Sequence, residues 1–293
     1  MGSERGQGTV EWVATVLLVS ALMLAAVATG VRVPGATLAR ALADRLLCAA
    51  SLASGCGDEP ELIAAYGTEV GELVRRHMPM LAFEHGSTAV PVDFRRCRVS
   101  ACSDAAAEGS IQKTDEGLPV TAFAHVIDCR EGATKRAEAA GTDCSGDRAG
   151  NLYIQYWTYY ADSATLREFV GERGYHEDDW ESVQFRIAPD GSVDQRASSH
   201  HGYNWFRSDT NWFADAGIAS HDGWGPETGL LLVSGGSHAG AAVGNAGNRG
   251  FVPGERVHLV PLEQLAVETD VPFAVSPPWL KQVWLDPEAK GTD

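Results

Sequence analysis

The stretch Glu181-Ser182-Val183-Gln184-Phe185-Arg186-Ile187-Ala188-Pro189-Asp190-Gly191-Ser192-Val193-Asp194-Gln195-Arg196-Ala197-Ser198-Ser199 reads as two strands around a tight turn. Val183, Phe185 and Ile187 alternate with polar residues, which is the period of a strand buried on one face. Pro189-Asp190-Gly191 is a hairpin signal, because proline presets its own φ and glycine accepts a positive one. Further strand-like runs, Val120 to Cys129, Leu152 to Tyr160, Gly229 to Ser234 and Arg256 to Leu262, are separated by similar punctuation in a chain with 32 glycines. The expectation is a mainly β, loop-rich fold with antiparallel pairing across the hairpin.

The segment just before the hairpin carries the chemistry. It reads Gly174-Tyr175-His176-Glu177-Asp178-Asp179-Trp180-Glu181. In an extended strand, side chains two apart share a face, so Asp179 and Glu181 point the same way as Val183, Phe185 and Ile187. Two carboxylates at the rim of an apolar face stay ionised only if a cation or strong donors compensate them. This predicts a hard-metal site, with His176 as a third ligand beside Asp179 and Glu181. Oxygen ligands favour Ca²⁺ or Mg²⁺, with water or sugar hydroxyls completing the shell. The plainer alternative is a solvated acidic turn.

Two other turns bear histidine beside hydroxyl groups and glycine: Ser199-His200-His201-Gly202 and Gly235-Gly236-Ser237-His238. The hairpin at Pro189 sets the first of them at the same sheet edge as Asp179. The candidate ligand-binding residues are therefore His200, His201, Ser237, His238 and Trp205. His176 and His238 are the candidates for a general base. Trp205, Trp212 and Trp224 lie in Gly/Asn/Asp-rich sequence and are expected to be exposed for stacking on sugars, whereas the aromatics from Tyr153 to Tyr160 are expected in the core. Familiar catalytic signatures are missing. Trp180 stands where a zincin helix needs its second histidine, and Gly236-Ser237-His238-Ala239-Gly240 is not a nucleophile elbow.

The order of Gln155-Tyr156-Trp157-Thr158-Tyr159-Tyr160, His176 to Glu181, Ser199 to Gly202 and Gly236 to Ala239 resembles the vacuolar protein sorting-associated protein sixty-two family. The central hexad is also similar to the Gly-His-Arg-His-Asp-Trp-Glu heptad of the necrosis- and ethylene-inducing peptide-like proteins. His176, Asp179, Trp180 and Glu181 match that heptad, while Tyr175, Glu177 and Asp178 depart from it. The resemblance covers residues 77–285 and implies an antiparallel β-sandwich over them, with a divalent-cation site that recognises a glycan or lipid headgroup.

The amino terminus points to a membrane. Trp12 to Val31 is an apolar run long enough to cross a bilayer as one helix. Arg5-Gly6-Gln7-Gly8-Thr9-Val10-Glu11-Trp12 resembles the start of type IV pilin-like proteins of the small Flp type. That resemblance implies processing after Gly6, with Glu11 in the fifth position beyond the cut, and a possible pilin-like assembly. Residues 1–31 are thus expected to be a pilin-like signal and anchor, 32–76 a short helical stalk and 286–293 a flexible tail. Leu38, Leu42 and Leu46 recur at helical spacing, and Pro60 to Arg76 reads as a second helix whose apolar face docks on the sandwich. Counting arginines alone would keep the long domain inside the cell, since Arg32, Arg40 and Arg45 follow the span. The six cysteines, Cys48, Cys56, Cys97, Cys102, Cys129 and Cys144, argue for an oxidising compartment. Neighbour pairing is the simplest connectivity. The domain is therefore placed outside the cytoplasm of a single-pass cell-membrane protein.

A net charge of −16 without a basic stripe excludes nucleic acid as a partner. Two functions remain, a cation-centred binding module for a glycan or lipid headgroup and a metal-dependent hydrolase on the same site. A pilin-like surface component is a third.

Overall fold

The computed structural model describes residues 60–84, 87, 89–105, 113–163, 175–199, 202–207, 223–244, 251–253, 257–262 and 272–291. The expectations placed on Gly6, Glu11, the apolar run Trp12 to Val31, the stalk before Pro60, Cys48, Cys56, His200, His201 and Trp212 lie outside the described residues. No helix among the described residues is long and apolar enough to cross a membrane.

Among the described residues, helix α1 (Pro60–His77) is followed by thirteen strands: β1 (Met80–Glu84), β2 (Thr121–Asp128), β3 (Leu152–Ser163), β4 (His176–Ile187), β5 (Val193–Ser199), β6 (Gly202–Asn204), β7 (Phe206–Arg207), β8 (Gly225–Pro226), β9 (Leu230–Val233), β10 (Gly240–Ala241), β11 (Val243–Gly244), β12 (Phe251–Pro253) and β13 (His258–Pro261). The larger sheet runs β13-β2-β3-β4-β5-β6, with β8 also on β5, and a second sheet runs β10-β9-β1-β12. The mainly β expectation holds, with one correction: β13 lies parallel to β2 and β1 parallel to β9. These partners are far apart in the chain, so no tight turn forces them antiparallel. Strand β1 is apolar from Met80 to Phe83 and so lacks the alternation that marks a half-buried strand in sequence.

The hairpin forms as its residues dictate. Ala188 and Ser192 close the turn backbone to backbone, and β4 pairs with β5 from Ile187↔Val193 to Val183↔Ala197. Gly191 takes φ 81°, a value that L side chains rarely adopt.

All 12 residues of β3 are buried, so both faces of the larger sheet need cover. One face packs on the second sheet and on α1. Tyr156 and Phe185 meet there edge to face at 5.7 Å, and each large ring so buried contributes about 1.5–3 kcal/mol. Helix α1 presents Leu62, Tyr66, Val70 and Val74 to this core. The Tyr66 hydroxyl donates to the Ala124 carbonyl and the Tyr156 hydroxyl to the Val74 carbonyl. Glu61 in its first turn and Arg75, Arg76 and His77 in its last complement the helix dipole. The docking role expected of this helix is observed.

The opposite face is covered by residues 272–291. Gln155 donates to the Val283 carbonyl, and the His125 ring stacks on Trp284 at 3.5 Å. Residues 286–291 were expected to be a flexible tail, and the structure corrects this. Asp286 pairs with Arg148, and Glu288 with Arg186, so charge ties the segment down. Two of the three neighbour disulfides, Cys97–Cys102 and Cys129–Cys144, are formed.

Candidate cation and ligand site

Strand β4 is longer than its sequence suggested. The acidic segment from His176 on belongs to the strand itself, paired as Tyr160↔Asp179 and Asp162↔Glu177. Alternation holds from Asp179 on, and Asp179 and Glu181 share a face with Val183 and Phe185 as expected. His176 lies beyond the left-handed backbone at Asp178, where alternation is interrupted, and its ring turns back on its own strand. Its Nδ1 lies 2.8 Å from the Asp178 carbonyl oxygen and the residue is half-buried. The structure does not bring His176 to the carboxylate pair.

His238 comes instead. Its Nδ1 lies 2.8 Å from Asp179 Oδ2, and its ring stacks on Tyr160 at 3.8 Å with an interplanar angle of 3°. Both His238 and Asp179 are buried. The turn that delivers His238 is built by Gly235 and Gly236: the Gly235 N–H donates to Glu84 Oε2 at 2.8 Å, and the Gly236 carbonyl accepts from Ser163 Oγ at 3.3 Å. Gly236 takes φ 80°, which permits this reversal.

Glu181 accepts from Ser198 Oγ, and the same oxygen receives the Ser182 N–H at 2.6 Å. Burial, and then the charge of Asp179, push the Glu181 carboxyl well above the usual carboxylate range, against the pull of Ser198 and Lys281. Burial and Asp179 likewise raise the Tyr160 hydroxyl. The corner is thus short of positive charge. Among the described residues, no arginine or lysine forms an ion pair with Asp179 or Glu181, and no three His, Cys, Asp or Glu side chains gather closely enough to enclose a metal by themselves.

The remaining candidates fall as follows. Ser237 is buried in the His238 turn. Trp205 is partly buried, donates its indole N–H to the Pro226 carbonyl and packs on Gly225, where an added Cβ would come within 2.4 Å of the indole. Trp224, expected to be exposed, is corrected: it is partly buried beneath the guanidinium groups of Arg196 and Arg186, with Nε1 on Glu288. The core assignment of the Tyr153 to Tyr160 aromatics holds. Tyr160, Ser198 and Glu84 join the site without having been singled out. Tyr160 alone had a usable signal, as an aromatic on the strand opposite Asp179.

No family model matches the chain, and no curated protein matches it. Among solved structures it is similar in outline to one described as a toxin fold for microbial attack and plant defense, at 17% identity and TM-score 0.40, over 74% of this chain and 87% of that one. It is also similar to NLPPya in complex with mannosamine, at 14% identity and TM-score 0.38, over 74% of this chain and 86% of that one.

Proposed function

We propose that the domain is a binding module in which the Asp179–Glu181 corner takes a divalent cation and, through it, a hydroxyl-bearing glycan or lipid headgroup. The observation that carries the reading is the pair of carboxylates on one covered face, with His238 the one possible cation in contact among the described residues. Such a corner needs a proton or a metal ion at neutral pH. Two carboxylates with free coordination positions suit Mg²⁺ or Ca²⁺, ions that keep waters or take substrate oxygens. Asp179 and Glu181 would hold the ion, and its chemistry there is to draw in hydroxyl oxygens. In this reading the Trp12 to Val31 segment tethers the domain to the cell membrane outside the cytoplasm. The two disulfides support an oxidising compartment.

The contact between His238 and Asp179 favours a second reading, a metal-dependent hydrolase. A histidine oriented by a carboxylate is arranged to accept a proton from water. Calorimetric titration of Ca²⁺ and Mg²⁺ tests both readings. The wild type should bind and the Asp179→Asn/Glu181→Gln variant should not; absence of binding to the wild type would sink the cation site. If His238→Ala binds the ion but abolishes a measured hydrolysis, the second reading replaces the first.

A further inference from the structure

We propose that Asp178 is a positioning residue for this corner: clamped by Arg98, Tyr159 and the Ala274 amide, it holds the chain in the turn that aims Asp179 at His238. The proposal rests on the site just described and adds residues to it. Among the described residues only two that are not glycine take a positive φ, Asp178 at 55° and His238 at 54°. One is the sequence neighbour of Asp179, and the other touches it. Left-handed backbone is disfavoured for L side chains and persists only where surrounding groups impose it.

Those groups are identifiable. The Asp178 carboxylate accepts the Tyr159 hydroxyl at 2.6 Å, the Ala274 N–H at 2.7 Å and Arg98 Nη2 at 3.1 Å on each oxygen. Arg98 is itself held. Its Nη2 also donates to the Pro272 carbonyl, its guanidinium lies 4.2 Å over the Phe273 ring, and it sits inside the Cys97–Cys102 loop. Three separate segments thus converge on one buried side chain. A glycine at 178 would have permitted the turn without imposing it; the clamped aspartate imposes it. The ladder continues in register on both sides, Asp162↔Glu177 and Tyr160↔Asp179, so no residue is inserted. What the turn sets is orientation.

The test compares Asp178→Ala, Asp178→Asn and Arg98→Ala in the full chain by two readouts. One is Ca²⁺ affinity by calorimetry. The other is the chemical shift of the His238 ring protons, which the stacked Tyr160 ring displaces without any ion present. Asp178→Ala and Arg98→Ala should weaken Ca²⁺ binding about 10–100-fold, the usual range for groups that orient metal ligands, and move the His238 signals toward unstacked values. Asp178→Asn should fall between wild type and Asp178→Ala, because asparagine tolerates a positive φ and keeps one acceptor oxygen but sets its amide N–H2 against donors that the second carboxylate oxygen receives. Charge alone predicts the reverse for Arg98→Ala, since removing a nearby cation would tighten Ca²⁺. If the wild type binds no Ca²⁺ but the His238 signals move in the two alanine variants, the positioning stands and the cation reading falls. If Ca²⁺ binds and neither readout responds, the positioning is overturned and the cation reading stands. Should Asp178→Ala fail to fold, Arg98→Ala and Asp178→Asn still decide.

Discussion

Strands β4 and β5 carry charge on both faces, and the two faces treat it in opposite ways. Beneath the 272–291 segment, charges are matched. Arg186 pairs with Asp194 and Glu288, and Glu288 also receives the Tyr153 hydroxyl and the Trp224 N–H. Arg196 lies between the rings of Tyr203 and Trp224 at 4.0 and 4.3 Å and donates to Gln184 and to the Pro287 carbonyl. On the other face, Asp179 and Glu181 crowd each other, and among the described residues His238 is the one basic side chain paired with either. A saturated polar cluster stabilises the fold, whereas one left short of a counter-charge stores cost that a ligand can relieve.

The largest effect should come from breaking the saturated side. Arg196 is 2% exposed, so Arg196→Ala leaves two acceptors unmet and a gap between two aromatic rings. Urea denaturation should show a loss of about 3–5 kcal/mol. A loss under about 1 kcal/mol would mean that this face is not the matched cluster described, and the contrast between the faces would fail.

Next in size is a pH effect of opposite sign on the unsaturated side. The Glu181 carboxyl is raised in the folded protein, so the folded state binds its proton more tightly than the unfolded chain does. The stability this contributes is full below about pH 4.3, the ordinary glutamate range, and is lost as pH rises through the raised value. Without divalent cations, wild-type stability relative to Glu181→Gln should therefore fall with rising pH, by at most about 1.4 kcal/mol per pH unit. Added Ca²⁺ should reverse that fall. His125 works the other way: burial pulls it down to about 3, so its contribution is full above about pH 6.5 and lost on acidification. Subtracting the Glu181→Gln profile cancels it. A flat difference would remove the Glu181 corner from the pH response.

This contrast was half legible in the sequence. Alternation through Val183 and Phe185 put Asp179 and Glu181 on one face, and Pro189-Asp190-Gly191 gave the hairpin, because both depend on neighbours in the chain. The terminal Asp286 and Glu288 looked like a solvated tail because their partners, Arg148 and Arg186, are more than a hundred residues away. For the same reason the sequence offers His176 as the third ligand beside Asp179 and Glu181, whereas His238 is the histidine that contacts Asp179. No neighbour in the chain announces the left-handed backbone at Asp178 that separates His176 from Asp179, nor that the Gly235–Gly236 turn folds back onto β3. The clamp on Asp178 is tertiary throughout, and so is the pairing of β1 with β9.

The smallest and most discriminating prediction concerns Asp179 itself. An asparagine there keeps an oxygen to receive the His238 N–H, but removes the charge that, after burial, does most to raise Glu181. If the corner is held for ligand binding at some cost to the fold, Asp179→Asn should stabilise the cation-free protein by about 0.5–1 kcal/mol at pH 7 while abolishing Ca²⁺ binding. A saturated cluster behaves otherwise, since removing one charge leaves its partner buried and alone. Thermal unfolding with and without Ca²⁺ separates the cases. A loss above about 1 kcal/mol in the cation-free protein would show that Asp179 and His238 form a structural ion pair, and the two faces of these strands would then follow the same rule.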